Sequence, residues 1–288
     1  MLKRWILVLF VACFIIFLSV DRAVIGSPST PKSRLDDPLY AKRFKDKEIL
    51  IQESRSSARL LFVGDSIFQQ FEDSEPLGKF SNADVWQHYY CDRNALELGF
   101  YGDTTSNILW RIQNGEMDGV SPSVVVLLVG VNNLAIKDWS WSAASDVQGI
   151  DEVVSKLHSH LPGAHIILLG ILPFRGHESG WIRHIDYLWK ARTVKRINGD
   201  LAEQFGRGTT SYVTYVDLTG IFMKDGQTNT SLLVDRVHPT PEGHALMAAA
   251  LEPYISRILG DTPKESTVIH SPDCAGSSPC ACAGRERQ

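Results

Sequence analysis

The chain has 288 residues, 44% of them apolar and 22% charged, with a formal net charge of −4. That suits one globular domain with a sizeable core plus short appendages. A slightly acidic chain with no long Lys/Arg cluster excludes a nucleic-acid-binding surface, and no repeat of roughly 20–50 residues points to a solenoid.

The first element is hydrophobic. Lys3 and Arg4 precede an uncharged run from Trp5 to Val20, which Asp21 and Arg22 close. As a helix the run would span roughly 24 Å, against a hydrocarbon core of about 30 Å. Residues 1–26 are therefore expected to be a short signal anchor with Lys3 and Arg4 snorkelling; the alternative is a signal peptide whose cleavage site ends at Gly26. The positive flank places the following domain in the lumen or outside the cell, secreted if the segment is cleaved.

Residues 27–43, opening Ser27-Pro28-Ser29-Thr30-Pro31, read as a stem or linker, and the folded domain is expected over 44–260. The Pro-, Ser- and Cys-containing residues 261–288 read as a disordered tail. Cys13 lies in the hydrophobic run, which leaves Cys91, Cys274, Cys280 and Cys282. In an oxidising compartment these could form disulfides, with all three pairings open. Cys280-Ala-Cys282 lacks a second ligand pair to complete a metal site.

Between the appendages, five short apolar runs predict strands: Leu60–Val63, Ala95–Leu98, Val124–Val129, Ile166–Ile171 and Tyr212–Val216. Helical spacing separates them. Val147, Ile150, Val153, Leu157 and Leu161 share one face, as do Val194, Ile197, Leu201 and Phe205. The last helix, from Pro241 to about Leu259, places Leu246, Ala249 and Ile258 on one side, and Pro253 is expected to kink it. Strand–helix alternation implies a parallel sheet flanked by helices, with the chemistry at the carboxyl ends of its strands.

Those ends carry polar residues. The first strand runs into Gly64-Asp65-Ser66, which puts a hydroxyl at a helix N-terminus, where it suits either a nucleophile or an N-cap. The second is followed by Gly102, whose missing side chain lets a backbone N–H approach a substrate oxygen. The third ends in Gly130-Val131-Asn132-Asn133, and the Asn132 amide could donate to a developing oxyanion or form an Asx turn. Beyond the fifth comes Asp235-Arg236-Val237-His238-Pro239, a carboxylate and an imidazole close enough to meet on one loop. Together these supply a nucleophile, a base, its orienting acid and oxyanion donors, which is the complement needed for acyl transfer. Rival orienting and basic groups are Asp217 and His244. Asp65 reads as a brace for the turn, and Trp110 and Arg111 as packing and pairing residues.

The chain resembles the SGNH hydrolases, relatives of the GDSL esterases and lipases, with Ser66, Gly102, Asn132 and His238 as the four lettered residues. The resemblance covers roughly Ala58 to Leu259. It is nearest to the catalytic subunits of intracellular platelet-activating-factor acetylhydrolase, through Gly102-Asp103-Thr104-Thr105, Leu109-Trp110-Arg111-Ile112, Asn114-Gly115-Glu116, Val129-Gly130-Val131-Asn132-Asn133 and Leu172-Pro173. Ile67 stands where Leu is usual, and the hydrophobic N-terminus departs from those cytosolic enzymes.

The resemblance implies a three-layer, flavodoxin-like α/β/α fold with a five-stranded parallel sheet ordered 2-1-3-4-5, and no metal or organic cofactor. It implies a Ser66–Asp235–His238 triad and an oxyanion hole of the Ser66 and Gly102 N–H groups with the Asn132 side chain. The expected activity is hydrolysis of short acyl esters, above all acetyl esters of lipids or carbohydrates. An O-acyltransferase using the same triad and a non-catalytic binding module are the alternatives. Asn229-Thr230-Ser231 is a glycosylation acceptor usable in a lumenal domain. The expected partners are the ester substrate and the membrane, with oligomeric state open.

Overall fold

The computed structural model describes residues 27–72, 82–134, 142–173, 181–208, 210–235 and 237–266. The hydrophobic N-terminal run and four of the five cysteines lie outside these residues; among them, no helix is long and apolar enough to cross a membrane.

Each of the five apolar runs forms a strand: β1 (Leu60–Gly64), β2 (Ala95–Gly99), β3 (Val124–Leu128), β4 (His165–Leu169) and β5 (Val213–Val216). All pair in parallel, in the order β2-β1-β3-β4-β5. The helices are α1 (Pro38–Glu53), α2 (Ser66–Gln69), α3 (Ala83–Tyr89), α4 (Thr105–Gln113), α5 (Ala143–His160), α6 (Trp181–Phe205) and α7 (Pro241–Leu259). Leu61, Val63, Val125 and Leu127 face α4, α5 and α6, whereas Leu60, Phe62, Val124 and Val126 face α2, α3 and α7. Both faces are therefore covered, which is why β1 and β3 are apolar at every position.

The strand order reverses between β1 and β3, because β1 leads outward to β2 while β3 leads to β4. In a doubly wound sheet that reversal opens a crevice at the carboxyl ends. Close approach of the two strands there depends on Gly64, where an added Cβ would meet the Leu128 carbonyl oxygen at 2.5 Å.

The apolar face of α7 differs from the one expected. Ala248, Leu251, Ile255 and Leu259 are buried, while Leu246 is 41% exposed and Ala249 and Ile258 are only partly buried. This helix is rich in alanine, so its two sides differ little in hydrophobicity and the pattern marks the inner face weakly. The helix runs unbroken past Pro253, starting from a Thr240 cap and ending at Gly260 in the left-handed region.

The segment expected to be a stem is laid against the domain. Thr105 Oγ1 donates to the Pro28 carbonyl at 2.7 Å, Ser106 Oγ to that of Ser27 at 3.1 Å and Asn107 Nδ2 to that of Lys32 at 2.9 Å. Helix α1 already begins at Pro38, capped by Asp37, and buries Tyr40 and Phe44 against Phe100. Its Arg43 and Lys47 reach Glu97 at 2.6 and 3.1 Å, and Arg43 also donates to the Gly99 carbonyl. They satisfy a buried carboxylate and the last carbonyl of β2, an edge strand of the sheet.

The start of the tail is fixed as well. Arg93 is 2% exposed and holds Glu252 and Asp261, while Glu252 accepts the Lys264 N–H at 2.7 Å. Cys91, in the same corner, is disulfide-bonded.

Candidate active site

Ser66 opens α2 immediately after β1, at the crevice. Asp65 forms the cap, its Oδ1 accepting the Ile67 N–H at 2.9 Å. Ser66 therefore does not cap its own helix, and its hydroxyl is directed elsewhere: His238 Nε2 lies 2.8 Å from Ser66 Oγ. The other ring nitrogen, Nδ1, lies 2.6 Å from Asp235 Oδ2. Ser66 and His238 are 4% and 8% exposed.

The loop that brings His238 in is built to hold one shape. Leu233 and Pro239 form an antiparallel bridge, Val234 N–H donates to the His238 carbonyl at 2.9 Å, and Thr240 N–H to that of Leu232 at 2.9 Å. At the tip, Asp235 Oδ1 accepts the Val237 and His238 N–H groups at 2.8 and 2.9 Å. Burial alone would raise the Asp235 pKa, but the His238 ring and those two N–H groups outweigh it and hold the carboxyl well below the usual range. An ionised carboxylate facing Nδ1 favours the tautomer that leaves Nε2 free to accept the serine proton.

Backbone accounting shows which N–H groups around the crevice lack a protein acceptor. In the loop after β2, Phe100 N–H donates to the Gly64 carbonyl at 3.1 Å, Tyr101 N–H to Gln69 Oε1 at 2.6 Å and Asp103 N–H to the Phe100 carbonyl at 3.0 Å. Gly102 N–H is the one left without a protein acceptor among the described residues, as is that of Ser66. Gly102 has φ +74°, a conformation a side chain would strain. Asn132 stands across the crevice but is not idle: its Nδ2 donates to the Asp103 carbonyl at 2.9 Å and lies 3.4 Å from Asp65 Oδ2. The second contact is at the long limit of hydrogen bonding, so that N–H can be redirected.

The rival residues are placed elsewhere. His244 is fully buried in α7, with Nε2 against the Ile67 carbonyl at 2.9 Å, and burial pushes its pKa down to about 4. It braces the turn that carries Ser66. Asp217 is exposed and accepts the Thr219 N–H at 2.8 Å. Asn229 caps a short turn, its Oδ1 taking the Ser231 hydroxyl at 2.8 Å.

Two residues support the site from behind. Asn133 joins Thr105 of α4 to Asp146 of α5 through its side chain at 3.1 and 3.2 Å. Arg111 is entirely buried; it meets Asp103 at 2.9 Å, pairs with Glu116, and approaches the Gly64 carbonyl at 3.3 Å. Arg111 thus packs and pairs as expected, whereas the bridging role of Asn133 was marked only by its adjacency to Asn132. Among the described residues, no group of three or more His, Cys, Asp or Glu is arranged to hold a metal ion.

Asp65 gives a pH signature. Burial raises its pKa to about 6, against the pull of the Ile67 N–H and His238. A carboxyl whose folded pKa exceeds its unfolded value favours the folded state at low pH, and this contribution is lost as pH rises from about 4 to about 6. Thermal unfolding of wild type and Asp65→Asn should therefore show wild type gaining relative stability as pH falls through that window. An unchanging difference would contradict a buried, titrating Asp65.

A family model for the GDSL-like lipase/acylhydrolase family matches residues 62–246. The human platelet-activating factor acetylhydrolase IB subunit alpha2 is 31% identical over 211 residues, covering 72% of this chain and 80% of the relative. Among solved structures, a GDSL-like lipase from Bacteroides thetaiotaomicron superposes with a TM-score of 0.56 at 19% identity, over 75% of this chain and 97% of the other. A carbohydrate esterase family 3 protein from Talaromyces cellulolyticus gives 0.50 at 16%, over 71% and 99%. At such identities these two speak for the fold alone. The sequence match and the strand-end geometry agree: the chain belongs to the GDSL-like lipase/acylhydrolase family and is a carboxylic ester hydrolase.

Proposed function

We propose that the protein hydrolyses short-chain acyl esters, acetyl esters first among them, with Ser66 as nucleophile, His238 as base and Asp235 as the residue that orients His238. The observation that carries this reading is the continuous contact from Asp235 through His238 to Ser66 Oγ at 2.6 and 2.8 Å. His238 Nε2 takes the Ser66 proton as Oγ attacks the ester carbonyl carbon. The carbonyl oxygen becomes an oxyanion, received by the Ser66 and Gly102 N–H groups and the redirected Asn132 amide. His238 returns the proton to the departing alcohol, leaving an acyl-serine. Water, deprotonated by His238, then releases the acid and restores Ser66.

The acetyl preference rests on likeness to the human acetylhydrolase subunit, which the chain matches over 72% of its length. The test is hydrolysis of p-nitrophenyl acetate, butyrate and octanoate by the full chain in detergent, beside Ser66→Ala. Rates should fall with chain length, and Ser66→Ala should lose at least about 10³-fold. A folded wild type that releases no free acid without an added acceptor would point to acyl transfer. Equal activity in Ser66→Ala would remove Ser66 from the chemistry.

We also propose that the N-terminal run anchors the domain at a membrane on the lumenal or extracellular side. A disulfide at Cys91 fits an oxidising compartment. Residues 21–26 separate the run from Ser27, and fully extended they reach only about 20 Å. Ser27 and Pro28 are bonded to Ser106 and Thr105, near the loop bearing Gly102, so a tether this short would keep the crevice near the bilayer. Lumenal placement exposes Asn229 to glycosylation. In secretory cells the protein should show an endoglycosidase-sensitive mass shift that Asn229→Gln abolishes; a cytosolic, protease-accessible domain would overturn the placement.

A further inference from the structure

We propose that Arg34, in the strap preceding α1, is a positioning residue for the oxyanion hole: it sets the orientation of the peptide whose N–H is the Gly102 donor. The inference rests on the esterase reading above and adds a residue outside the 62–246 family match.

Arg34 Nη1 donates to the Tyr101 carbonyl at 2.6 Å. The Tyr101 carbonyl and the Gly102 N–H belong to one peptide unit, which is planar and trans, so they point in opposite directions. Fixing the oxygen on the strap side turns the hydrogen away from the strap. This matters because Gly102, at φ +74°, has the freedom to let that plane rotate. A cation on the carbonyl also polarises the amide and strengthens its N–H as a donor.

Arg34 is itself held firmly. It lies over the Tyr40 ring at 4.7 Å and 3.5 Å from both Asp37 and the buried Asp103. Its side chain is 24% exposed. Nη1 also sits where a Cβ on Gly102 would come within 3.1 Å, so the guanidinium closes the outer side of the loop. Arg111 grips Asp103 from the inner side at 2.9 Å. The loop is clamped between two guanidiniums, and among the described residues its Gly102 N–H is the one without a protein acceptor.

The test compares the full-length chain with Arg34→Ala and Arg34→Lys on p-nitrophenyl acetate, with thermal unfolding as a check on folding. Removing an oxyanion donor costs on the order of 10²–10³ in kcat; misaiming one should cost less, roughly tenfold. The expected result is a fall in kcat with KM little changed, partial recovery in Arg34→Lys, and recovery of Arg34→Ala by millimolar guanidinium. A melted strap would not be restored by the small cation. Unchanged kcat, a change confined to KM, or a loss that tracks the unfolded fraction and ignores guanidinium would overturn the proposal. Inactivity of wild type itself would instead overturn the esterase reading.

Discussion

The site depends on where β1 ends and on what its last carbonyl holds. The Gly64 oxygen accepts the Phe100 N–H at 3.1 Å and is approached by Arg111 at 3.3 Å, while Gly64 itself admits the end of β3. One residue, Gly64, thus brings together the three strand ends that lead to Ser66, Gly102 and Asn132. A side chain at position 64 would push β3 away. Ser66, Gly102 and Asn132, the proposed oxyanion donors, would then part, even with every one of them still present in the sequence.

The polar interior behind the site follows the same logic. Asp103 and Arg111 are fully buried, and an unpaired charge there would cost several kcal/mol. They are kept as a connected set: Arg34 and Tyr40 on one side, Glu116 on the other, with the Asp103 carbonyl bonded to Asn132. Packing alone would bury this loop. The ion pairs instead fix its direction, which is the property that catalysis by preorganised donors needs. His244 plays a comparable part beneath Ser66, as a neutral imidazole on the Ile67 carbonyl.

Much of this was legible in the sequence, for physical reasons. Strands covered on both faces must be apolar throughout, so β1 and β3 announce themselves, and polar residues at their ends have no structural excuse once they recur. The strap was not legible because its partners bond to the carbonyls of Ser27, Pro28 and Lys32, which every sequence possesses. Its Ser/Pro composition then reads as a linker. The inner face of α7 is weakly marked in the sequence because Ala245, Ala248, Ala249 and Ala250 give little contrast around the helix. Glu97 hid in an apolar run, since its charge is satisfied by Arg43 and Lys47 from a helix some fifty residues earlier.

The proposed chemistry turns on one contact chain, in which His238, oriented by Asp235, makes Ser66 nucleophilic. The most direct measurement is to treat the protein with a fluorophosphonate and locate the adduct by peptide mass spectrometry, in wild type and in His238→Ala. The expected result is a single adduct on Ser66 that forms far more slowly without the imidazole. An adduct on another serine in an active enzyme, or labelling of Ser66 indifferent to His238, would contradict it.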